Sequence, residues 1–467
     1  MKPVFLEDTI AALSSAPGEG GIALIRLSGR DALAIADRVF RPKAGLPPSR
    51  QKSHTLRYGF VVDPFVPVPG GAVDEALLAV MRAPRSYTGE DVVELSCHGG
   101  RFVVQKALDL LVRCGARPAE PGEFTRRAFL AGRMDLAQSE AVLDLIRAKS
   151  DRAFEAARSQ LAGDLSRFVR RIRDELARIL SHIEASIDFP DDRIEPMADR
   201  SVLERLKKVR VECSDLVAQA RGGVIVRDGL KVVLAGPPNA GKSSLMNALV
   251  RKDRVIVSPE PGTTRDTIEE DVSIGGFRVR LVDTAGLQEP VSAVEREGIS
   301  RSREEIASAD LVLYVLDGSA EPLPGAFAPW EGLAAKKRLL ILNKADLGPP
   351  RRGQPSGEFP GALSVIRTSC LDGTGIPELE RRIREFAAEE APRLSEETWV
   401  LSVRHLDHFR KAEERLRLAV QAYEEGLSAE FGAVDLKGAM DELGQVVGEV
   451  VTDDILDLIF SRFCIGK

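Results

Sequence analysis

The feature that most constrains this chain is an eight-residue stretch, residues 236–243, that matches the pattern G-x-x-x-x-G-K-[ST]. It follows an apolar run of strand length and precedes a helical pattern, and in that context the pattern forms a phosphate-binding loop. Backbone N–H groups and a helix N-terminus attract phosphate there. Lys242 is predicted to reach the β and γ phosphates of a nucleotide, and Ser243 is predicted to bind Mg²⁺. The surrounding segment is therefore expected to be an α/β domain.

Apolar runs of strand length alternate with helical segments across residues 229–388. The runs cover residues 232–235, 278–282, 311–316, 339–342 and 364–368. Such alternation predicts a parallel sheet whose strands are joined by crossover helices. A stretch rich in proline and glycine, residues 348–361, is predicted to be an exposed loop inside this domain.

Three short motifs follow predicted strands and indicate the base. Residues 283–286 read Asp-Thr-Ala-Gly, and Asp283 can hold Mg²⁺ through water. Residues 343–346 read Asn-Lys-Ala-Asp, and the Asp346 carboxylate can accept from N1–H and the 2-amino group of guanine. Adenine lacks both of these donors and would leave a buried Asp346 unpaired. The motifs predict a GTP site formed by Asn239, Ala240, Gly241, Lys242, Ser243, Ser244, Asp283, Thr284, Ala285, Gly286, Asn343, Lys344, Ala345, Asp346, Ser369, Cys370 and Leu371.

The segments on either side of residues 229–388 have different patterns of apolar and polar residues. Residues 22–26 and 92–96 are predicted strands, 102–114 a helix, and 76–81 either a strand or a short buried helix. Residues 135–220, and those after about 394, carry apolar residues at spacings of three and four, which predicts long amphipathic helices. We therefore predict a small α+β domain (1–132), a helical domain in two halves (133–228 and 389–467), and an α/β domain (229–388) inserted between the halves.

Composition argues against several classes of protein. The net charge of -6 would repel phosphate over the whole chain, so any contact with RNA must be local. The five cysteines form no C-x-x-C pair, so neither a zinc site nor a disulfide framework is expected. The sequence shows no signal-peptide pattern, no run of 18 apolar residues, and no prenylation motif at residues 464–467. The expectation is a cytoplasmic protein that does not enter a membrane.

Further motifs follow one another along the whole chain. They are Thr-Gly-Glu-Asp at 88–91, His-Gly-Gly at 98–100, Pro-Gly-Glu-Phe-Thr-Arg-Arg-Ala-Phe-Leu at 121–130, Asp-Phe-Pro-Asp at 188–191, Gly-Thr-Thr-Arg-Asp at 262–266, Asp-Thr-Ala-Gly-Leu at 283–287 and Phe-Cys-Ile-Gly-Lys at 463–467. This set resembles the tRNA modification GTPase family MnmE (also called TrmE). The resemblance implies a Ras-like P-loop GTPase domain inserted in an α-helical domain, preceded by a small α+β domain that binds folate and forms a homodimer.

The family hydrolyses GTP with potassium in place of an arginine finger. The resemblance assigns K⁺ ligands to Asn239, Ser258, Glu260 and Thr263, and it has Thr264 complete the coordination of Mg²⁺. Ser258, Thr263 and Thr264 thereby join the predicted GTP contacts. A cation beside the β and γ phosphates offsets developing charge, as an arginine finger would.

The residue that orients the attacking water differs from that of other Ras-like GTPases. Leu287 occupies the position of their catalytic glutamine and cannot orient water. The resemblance assigns the catalytic role to Glu295. The residues alone would make Glu295 a solvated charge on a helix, as most exposed carboxylates are.

A second site is implied only by the resemblance. Arg26, Glu94, Arg133 and Lys467 would line a pocket for 5-formyl-tetrahydrofolate or a related reduced folate. A pterin offers a guanine-like donor edge to a carboxylate, and the glutamate tail of folate needs a cation. The family usually has Lys where this chain has Arg133, which keeps the charge and changes the geometry. Without the resemblance, these would be residues of surface ion pairs.

Cys464 and residues 98–100 are two further features of the sequence. The family reading makes Cys464 functionally necessary without assigning it a chemical role, whereas a lone cysteine is more often buried and inert. Residues 98–100 are predicted to form a tight turn, because no serine nucleophile motif accompanies them.

The predicted function is that of an enzyme. The resemblance implies that the chain, in a heterotetramer with an FAD-dependent partner (GidA, also called MnmG), installs a carboxymethylaminomethyl (aminomethyl-type) group on C5 of uridine-34 of certain tRNAs. Folate would supply the one-carbon unit, and FAD would enter only through the partner. A ribosome-assembly GTPase acting as a binding switch is the first alternative, although no GXXG loop in a basic, KH-like context accompanies the motifs. The second alternative is a nucleotide-regulated scaffold without catalysis. Binding of a reduced folate by the purified protein would distinguish the modification enzyme from both alternatives.

Overall fold

The computed structural model describes residues 7–66, 71–188, 200–250, 268–283, 304–320, 336–348, 362–390, 401–425 and 429–467. Contacts divide the chain into two compact units. The first comprises Met1–Leu143, Gln160–Arg210 and His408–Lys467, and the second Asp144–Ser159 and Val211–Asp407. The four-segment division predicted above stays a prediction, and the grouping of Asp144–Ser159 with the second unit was not foreseen. Every helix within the described ranges is too short or too polar to cross a membrane.

A seven-stranded sheet forms the N-terminal part of the first unit. Its strands are β1 (Ile10–Leu13), β2 (Gly20–Ser28), β3 (Phe40–Pro42), β4 (Thr55–Val62), β5 (Ala72–Met81), β6 (Val92–Gly99) and β7 (Arg117–Pro118), in the order β3-β4-β5-β6-β2-β1-β7. All neighbours are antiparallel except β1 and β7. Alternate residues of β5, including Leu78 and Val80, are buried. The open question about residues 76–81 is therefore resolved in favour of a strand.

The described residues also form helices in both units. They are α1 (Ala32–Val39), α2 (Arg101–Arg113), α3 (Glu123–Leu130), α4 (Leu136–Arg147), α5 (Asp151–Leu161), α6 (Asp164–Asp188), α7 (Arg200–Asp228), α8 (Lys242–Val250), α9 (Ile376–Glu390), α10 (Val403–Glu424), α11 (Ala429–Val447) and α12 (Asp453–Phe460). The predicted amphipathic helices before and after the α/β segment are confirmed.

The prediction of a tight turn at residues 98–100 is wrong. His98 and Gly99 end β6, and Gly100 lies at the start of α2. The backbone N–H and ring Nδ1 of His98 both bond to the carboxylate of Asp74 on β5. A Cβ on Gly99 would lie 2.4 Å from the carbonyl oxygen of Gly20. Gly99 therefore allows the backbones of β2 and β6 to approach closely. The sequence pattern of a single strand does not reveal such a contact.

The helical core of the first unit lies between α6 and α11. Leu165, Ile172, Ile179 and Ile183 form a fully buried stripe along α6. The stripe recurs at spacings of three and four because these residues fall on one face of a helix. At the chain end, α12 packs on α3 in an apolar cluster that contains Phe129, Leu136, Leu143, Leu456, Ile459, Phe460 and Phe463.

The second unit contains the predicted parallel sheet. Its strands are β8 (Leu230–Ala235), β9 (Ile268–Ile274), β10 (Phe277–Asp283), β11 (Leu311–Asp317), β12 (Arg338–Asn343) and β13 (Ala362–Arg367), in the order β13-β12-β11-β8-β10-β9. Only β9 runs antiparallel to its neighbour, β10. The central strands β11 and β12 are buried almost throughout, as expected of parallel strands covered on both faces. Most of the predicted loop, residues 349–361, lies outside the described residues.

Candidate functional site

The phosphate-binding loop joins β8 to α8, which begins at Lys242. Gly236 has a φ of +141°, and a Cβ there would lie 2.2 Å from the carbonyl oxygen of Val315. Gly241 has a φ of +93°, and a Cβ there would lie 2.2 Å from Nδ2 of Asn343. Both glycines are required by backbone conformation and by close contact. The loop is thereby fixed against the ends of β11 and β12.

Charged and polar side chains converge where β8 and β10 end. The buried Lys242 donates from Nζ to the carbonyl oxygens of Gly236 (3.1 Å) and Pro237 (3.0 Å). Burial lowers the pKa of Lys242, and the nearby Asp283 carboxylate partly offsets this. Ser243 Oγ donates to Asp283 Oδ2 over 2.6 Å. The side chains predicted to hold phosphate and Mg²⁺ are therefore adjacent.

The residues at this point fit a hard divalent cation. Oδ1 of Asp283 is buried and accepts no hydrogen bond from any residue in the described ranges. A buried, unpaired carboxylate oxygen is costly unless a donor or cation meets it. Together with the Ser243 hydroxyl, it offers the oxygen ligands that Mg²⁺ prefers.

The amide of Asn343 ties the base-recognition motif to the phosphate loop. Its Nδ2 donates to the carbonyl oxygen of Ala240 over 3.1 Å. Its Oδ1 accepts from Thr368 Oγ1 (3.2 Å) and from Cys370 Sγ (3.4 Å). Three chain segments therefore meet at one buried side chain. Ser369 Oγ in turn accepts from the backbone N–H of Leu371 (3.3 Å), so the predicted residues 369–371 form one turn beside it.

Lys344 and Asp346 lie in different environments, since one is ion-paired and the other is exposed. Lys344 Nζ pairs with Asp317 Oδ2 at 2.6 Å. Asp317 ends β11, and sequence reasoning missed it, although its position after an apolar strand was a signal. The side chain of Asp346 is exposed and bonds to none of the residues described. Asp346 lies in the turn Ala345–Leu347 beyond the end of β12, where its carboxylate is accessible to a base; its burial against guanine stays a prediction.

Other predicted residues of the GTP and K⁺ sites fall partly inside and partly outside the described ranges. Asn239, with a φ of +60°, and the buried Ala240 lie in the loop, and Ser244 is exposed on α8. The remaining predicted residues lie outside the described ranges, namely Ser258, Glu260, Thr263, Thr264, Thr284, Ala285, Gly286 and Glu295. Most of the assigned K⁺ ligands and the assigned catalytic carboxylate thus stay predictions.

Three of the four predicted folate residues meet in the first unit. Arg26 on β2 pairs with Glu94 directly opposite on β6, with Nη2 2.7 Å from Oε1. Nη1 of Arg26 is buried and bonds to none of the described residues. Burial and the neighbouring Arg26 lower the pKa of Lys467, while Glu94 opposes them. Arg133 is exposed and close enough to Tyr87 to act on its pKa.

Two aromatic residues that sequence reasoning missed enclose the Arg26 guanidinium. Its carbon lies 5.2 Å from the ring centroid of Tyr87 and 5.6 Å from that of Phe124. Tyr87 OH lies 2.9 Å from Thr125 Oγ1, and burial raises the pKa of Tyr87. Both aromatics lie within or beside the motifs at 88–91 and 121–130, which was the available signal. They give the polar pair an aromatic wall.

The C-terminal tail lies against the start of the chain. Ile465 forms an antiparallel bridge with Pro121, and Phe124 N–H donates to the carbonyl oxygen of Lys467 over 3.2 Å. Ser14 Oγ donates to the carbonyl oxygen of Gly466 over 2.9 Å. Cys464 is exposed, contrary to the usual burial of a lone cysteine.

A buried ionic cluster explains why two of the motifs occur together. Arg127 is 2% exposed, and its guanidinium contacts Glu90 (3.2 Å), Glu123 (2.9 Å) and Asp8 (2.7 Å). Ser28 Oγ donates to Glu90 Oε2 over 2.7 Å. Removing one partner from such a cluster leaves a buried charge uncompensated. The cluster therefore fixes α3, which carries Phe124, beside β2.

The chain matches known proteins over nearly its whole length. A family model described as the MnmE helical domain matches residues 136–464, and one described as the GTP-binding protein TrmE N-terminus matches residues 9–133. The tRNA modification GTPase MnmE of Moorella thermoacetica is 46% identical, covering 99% of this chain and 100% of that protein. The protein of that name in Symbiobacterium thermophilum is 47% identical over the same shares. The solved G domain of the T. maritima FeoB iron transporter has a TM-score of 0.26, at 25% identity over 34% of this chain and 98% of that one.

Proposed function

The chain belongs to the MnmE family of tRNA modification GTPases, and we propose that it couples GTP hydrolysis to modification of the wobble uridine of tRNA. The observation that supports GTP binding most strongly is the convergence at one edge of the sheet. Lys242, Ser243 and Asp283 meet where β8 and β10 end, and Asn343 links that point to the base motif. This edge, at the carboxyl ends of parallel strands, is where ligands bind in open α/β sheets.

In the proposed reaction, the loop residues 239–244 hold the phosphates through backbone N–H groups and Lys242. Ser243 and Thr264 would hold Mg²⁺, and the Asp283 carboxylate would add negative charge beside it. Bound Mg²⁺ neutralises charge on the β and γ phosphates. Asn239, Ser258, Glu260 and Thr263 would coordinate a K⁺ ion, and Glu295 would orient the attacking water. Asp346 selects guanine, since its carboxylate accepts from both donors on the base edge.

The first unit provides the proposed folate site. Nη1 of Arg26 is buried and bonds to none of the described residues, and its guanidinium lies beside Tyr87, Phe124 and the Glu94 carboxylate. Glu94 can meet a pterin edge, and Arg26 can meet a negative group. Arg133 and Lys467 add positive charge for the glutamate tail. We propose that the folate supplies the one-carbon unit and that an FAD-dependent partner, GidA (MnmG), supplies the flavin. A homodimer formed by the N-terminal domain, within a cytoplasmic heterotetramer that acts on tRNA, is part of the same proposal.

The test is mass spectrometry of tRNA nucleosides from a strain that lacks the protein. We expect the 5-substituted uridine at position 34 to disappear and to return with the parent gene. Glu94→Ala should not restore it although its GTP turnover is normal, because Glu94 lies in the folate site. An unchanged nucleoside profile in the deletion strain would refute the function. A defect confined to ribosome assembly would favour the binding-switch alternative, which no observation on the described residues supports.

A further inference from the structure

The antiparallel pair β9–β10, here called the hairpin, connects two parts of the proposed GTP site. β9 begins shortly after Thr264, and β10 ends at Asp283, whose carboxylate accepts a hydrogen bond from Ser243. The last residue of β10 pairs in register with the first residue of β9, Ile268. Backbone hydrogen bonds hold the two strands in register, so a shift of one strand along its length requires the other to move with it.

A residue distant in sequence contacts the hairpin through an ion pair. Asp271 on β9 accepts from Nε and Nη2 of Arg278 on β10 over 2.9 and 2.8 Å. The same carboxylate accepts from Nζ of Lys149 over 3.1 Å. Burial raises the pKa of Asp271, but Arg278 and Lys149 outweigh it and leave the pKa below the usual value. Lys149 lies between α4 and α5, so the contact joins the hairpin to the helical part of the sequence.

Helix α5 makes a second, independent contact with the hairpin. The Arg152 guanidinium lies 3.9 Å from the ring centroid of Phe277, the first residue of β10, which is itself 1% exposed. Ala156 packs against the apolar core that contains Phe277 and Ile274. An arginine over an aromatic face is attracted by the ring quadrupole. The hairpin thus bears both an ion pair and a cation–π contact from residues 144–159.

The tip of the hairpin is also confined. Gly275 and Gly276 have positive φ values of 61° and 82°. A Cβ on Gly275 would lie 2.4 Å from Cδ of Arg384 on α9, and a Cβ on Gly276 would lie 4.0 Å from Nε of Arg152. Residues from two helices therefore flank the turn. A displacement of the hairpin must alter its contacts with α5, with α9, or with both.

We propose that Lys149 and Arg152 are positioning residues that couple the hairpin to α5, so that the bound nucleotide and the position of this helix determine one another. The proposal rests on the proposed GTP site. Helix α5 is continuous from the second unit into Gln160 of the first, whose Nε2 donates to the carbonyl oxygen of Ala137 over 2.9 Å.

The ratio of the GDP and GTP affinities distinguishes a coupling contact from a purely structural one. If the hairpin differs between the GDP and GTP states, its contact with residues 144–159 differs in strength between them. Removing the contact must then change the ratio of the two nucleotide affinities. A contact that only stabilises the fold would alter both affinities by the same factor, because it has no differential interaction with the two states.

The test variant is Lys149→Gln combined with Arg152→Ala, which leaves the pair between Asp271 and Arg278 intact. Arg158→Gln is the matched control, because Arg158 lies on the same helix and pairs with the exposed Glu155. Dissociation constants for GDP and for a non-hydrolysable GTP analogue are measured by fluorescence titration. We expect the ratio of the two constants to change by about fivefold in the double variant and to stay at the parent value in the control. An unchanged ratio in the double variant would overturn the proposal.

Amide hydrogen exchange gives a second measurement. In the parent, exchange at residues 144–159 should change when GDP is replaced by the analogue, together with exchange at the hairpin. In the double variant, only the hairpin should respond. Identical exchange of residues 144–159 in both states of the parent would contradict the coupling. If the parent bound neither nucleotide, the proposed GTP site itself would fail, which is a distinguishable result.

Discussion

Substitution of Gly466 by alanine tests whether the C-terminal tail belongs to the folate site. Gly466 has a φ of +96°, and a Cβ there would lie 2.1 Å from the carbonyl oxygen of Leu13. The other nearest atoms are backbone atoms of Leu13 and Ser14. A clash with backbone cannot be relieved by rotating a side chain, so the variant cannot keep the tail in its observed position.

The free-energy cost to the docked tail can be estimated from the hydrogen bonds that are lost and the backbone strain that is added. Displacement breaks the hydrogen bonds from Ser14 Oγ to Gly466 O and from Phe124 N–H to Lys467 O. At about 1 kcal/mol for each bond and about 1 kcal/mol for positive-φ strain, the docked tail is destabilised by about 3 kcal/mol. That corresponds to roughly 100-fold in the docking equilibrium. Lys467 is then withdrawn from Arg26 and Glu94.

The assay pairs calorimetric titration with 5-formyl-tetrahydrofolate and phosphate release from GTP. We expect the folate dissociation constant to rise at least about tenfold, because part of the docking free energy is lost, with GTP turnover unchanged. Gly100→Ala is the control, since Gly100 has a φ of -77° and no atom lies within 4 Å of a Cβ placed on it. A parental folate affinity in Gly466→Ala would refute the reasoning, and loss of both activities would make the tail a purely structural element.

Two further predictions concern the GTP site. Asp346→Asn should weaken GTP binding and favour xanthosine triphosphate, because xanthine presents an acceptor where guanine has its 2-amino donor. Competitive titration measures both affinities, and a GTP affinity equal to the parent's would rule out this role of the motif. GTP turnover should be faster in K⁺ than in Na⁺ at equal ionic strength, and Asn239→Ala should remove the difference. In the same assay, Glu295→Ala should slow turnover with little effect on nucleotide affinity, since the residue acts mainly in the transition state; equal rates of the parent in the two salts would exclude the potassium role.

Local chemistry made the nucleotide fold predictable. The phosphate-binding loop contains positions with positive φ angles that favour glycine, and Gly236 and Gly241 adopt such angles. Buried parallel strands read as continuous apolar runs, and the strands β8, β11 and β12 do so. The apolar stripe of α6 followed from helical periodicity in the same way. Each of these signals lies within a few consecutive residues, which is why one sequence sufficed.

The site was only partly predictable, because its polar partners come from distant positions. Only the family resemblance assigns Arg26 and Glu94 to this site, and no sequence signal assigns Tyr87 or Phe124 to it. Asp317 pairs with Lys344 across two strands, and nothing at either position alone indicates the other. The exposure of Asp346 likewise depends on where the chain leaves β12.

The sequence by itself determined most of the element types, the order of the motifs and the P-loop, because these depend on periodicity and backbone conformation over short stretches. The tertiary structure alone decided that residues 76–81 pair as a central strand, that Arg127 is enclosed by three carboxylates, and that the tail meets Pro121. It also decided that Asp144–Ser159 packs with the nucleotide unit. The physical reason is that such contacts are selected by burial and charge complementarity in three dimensions, and residues far apart in the chain carry no local mark of their partner.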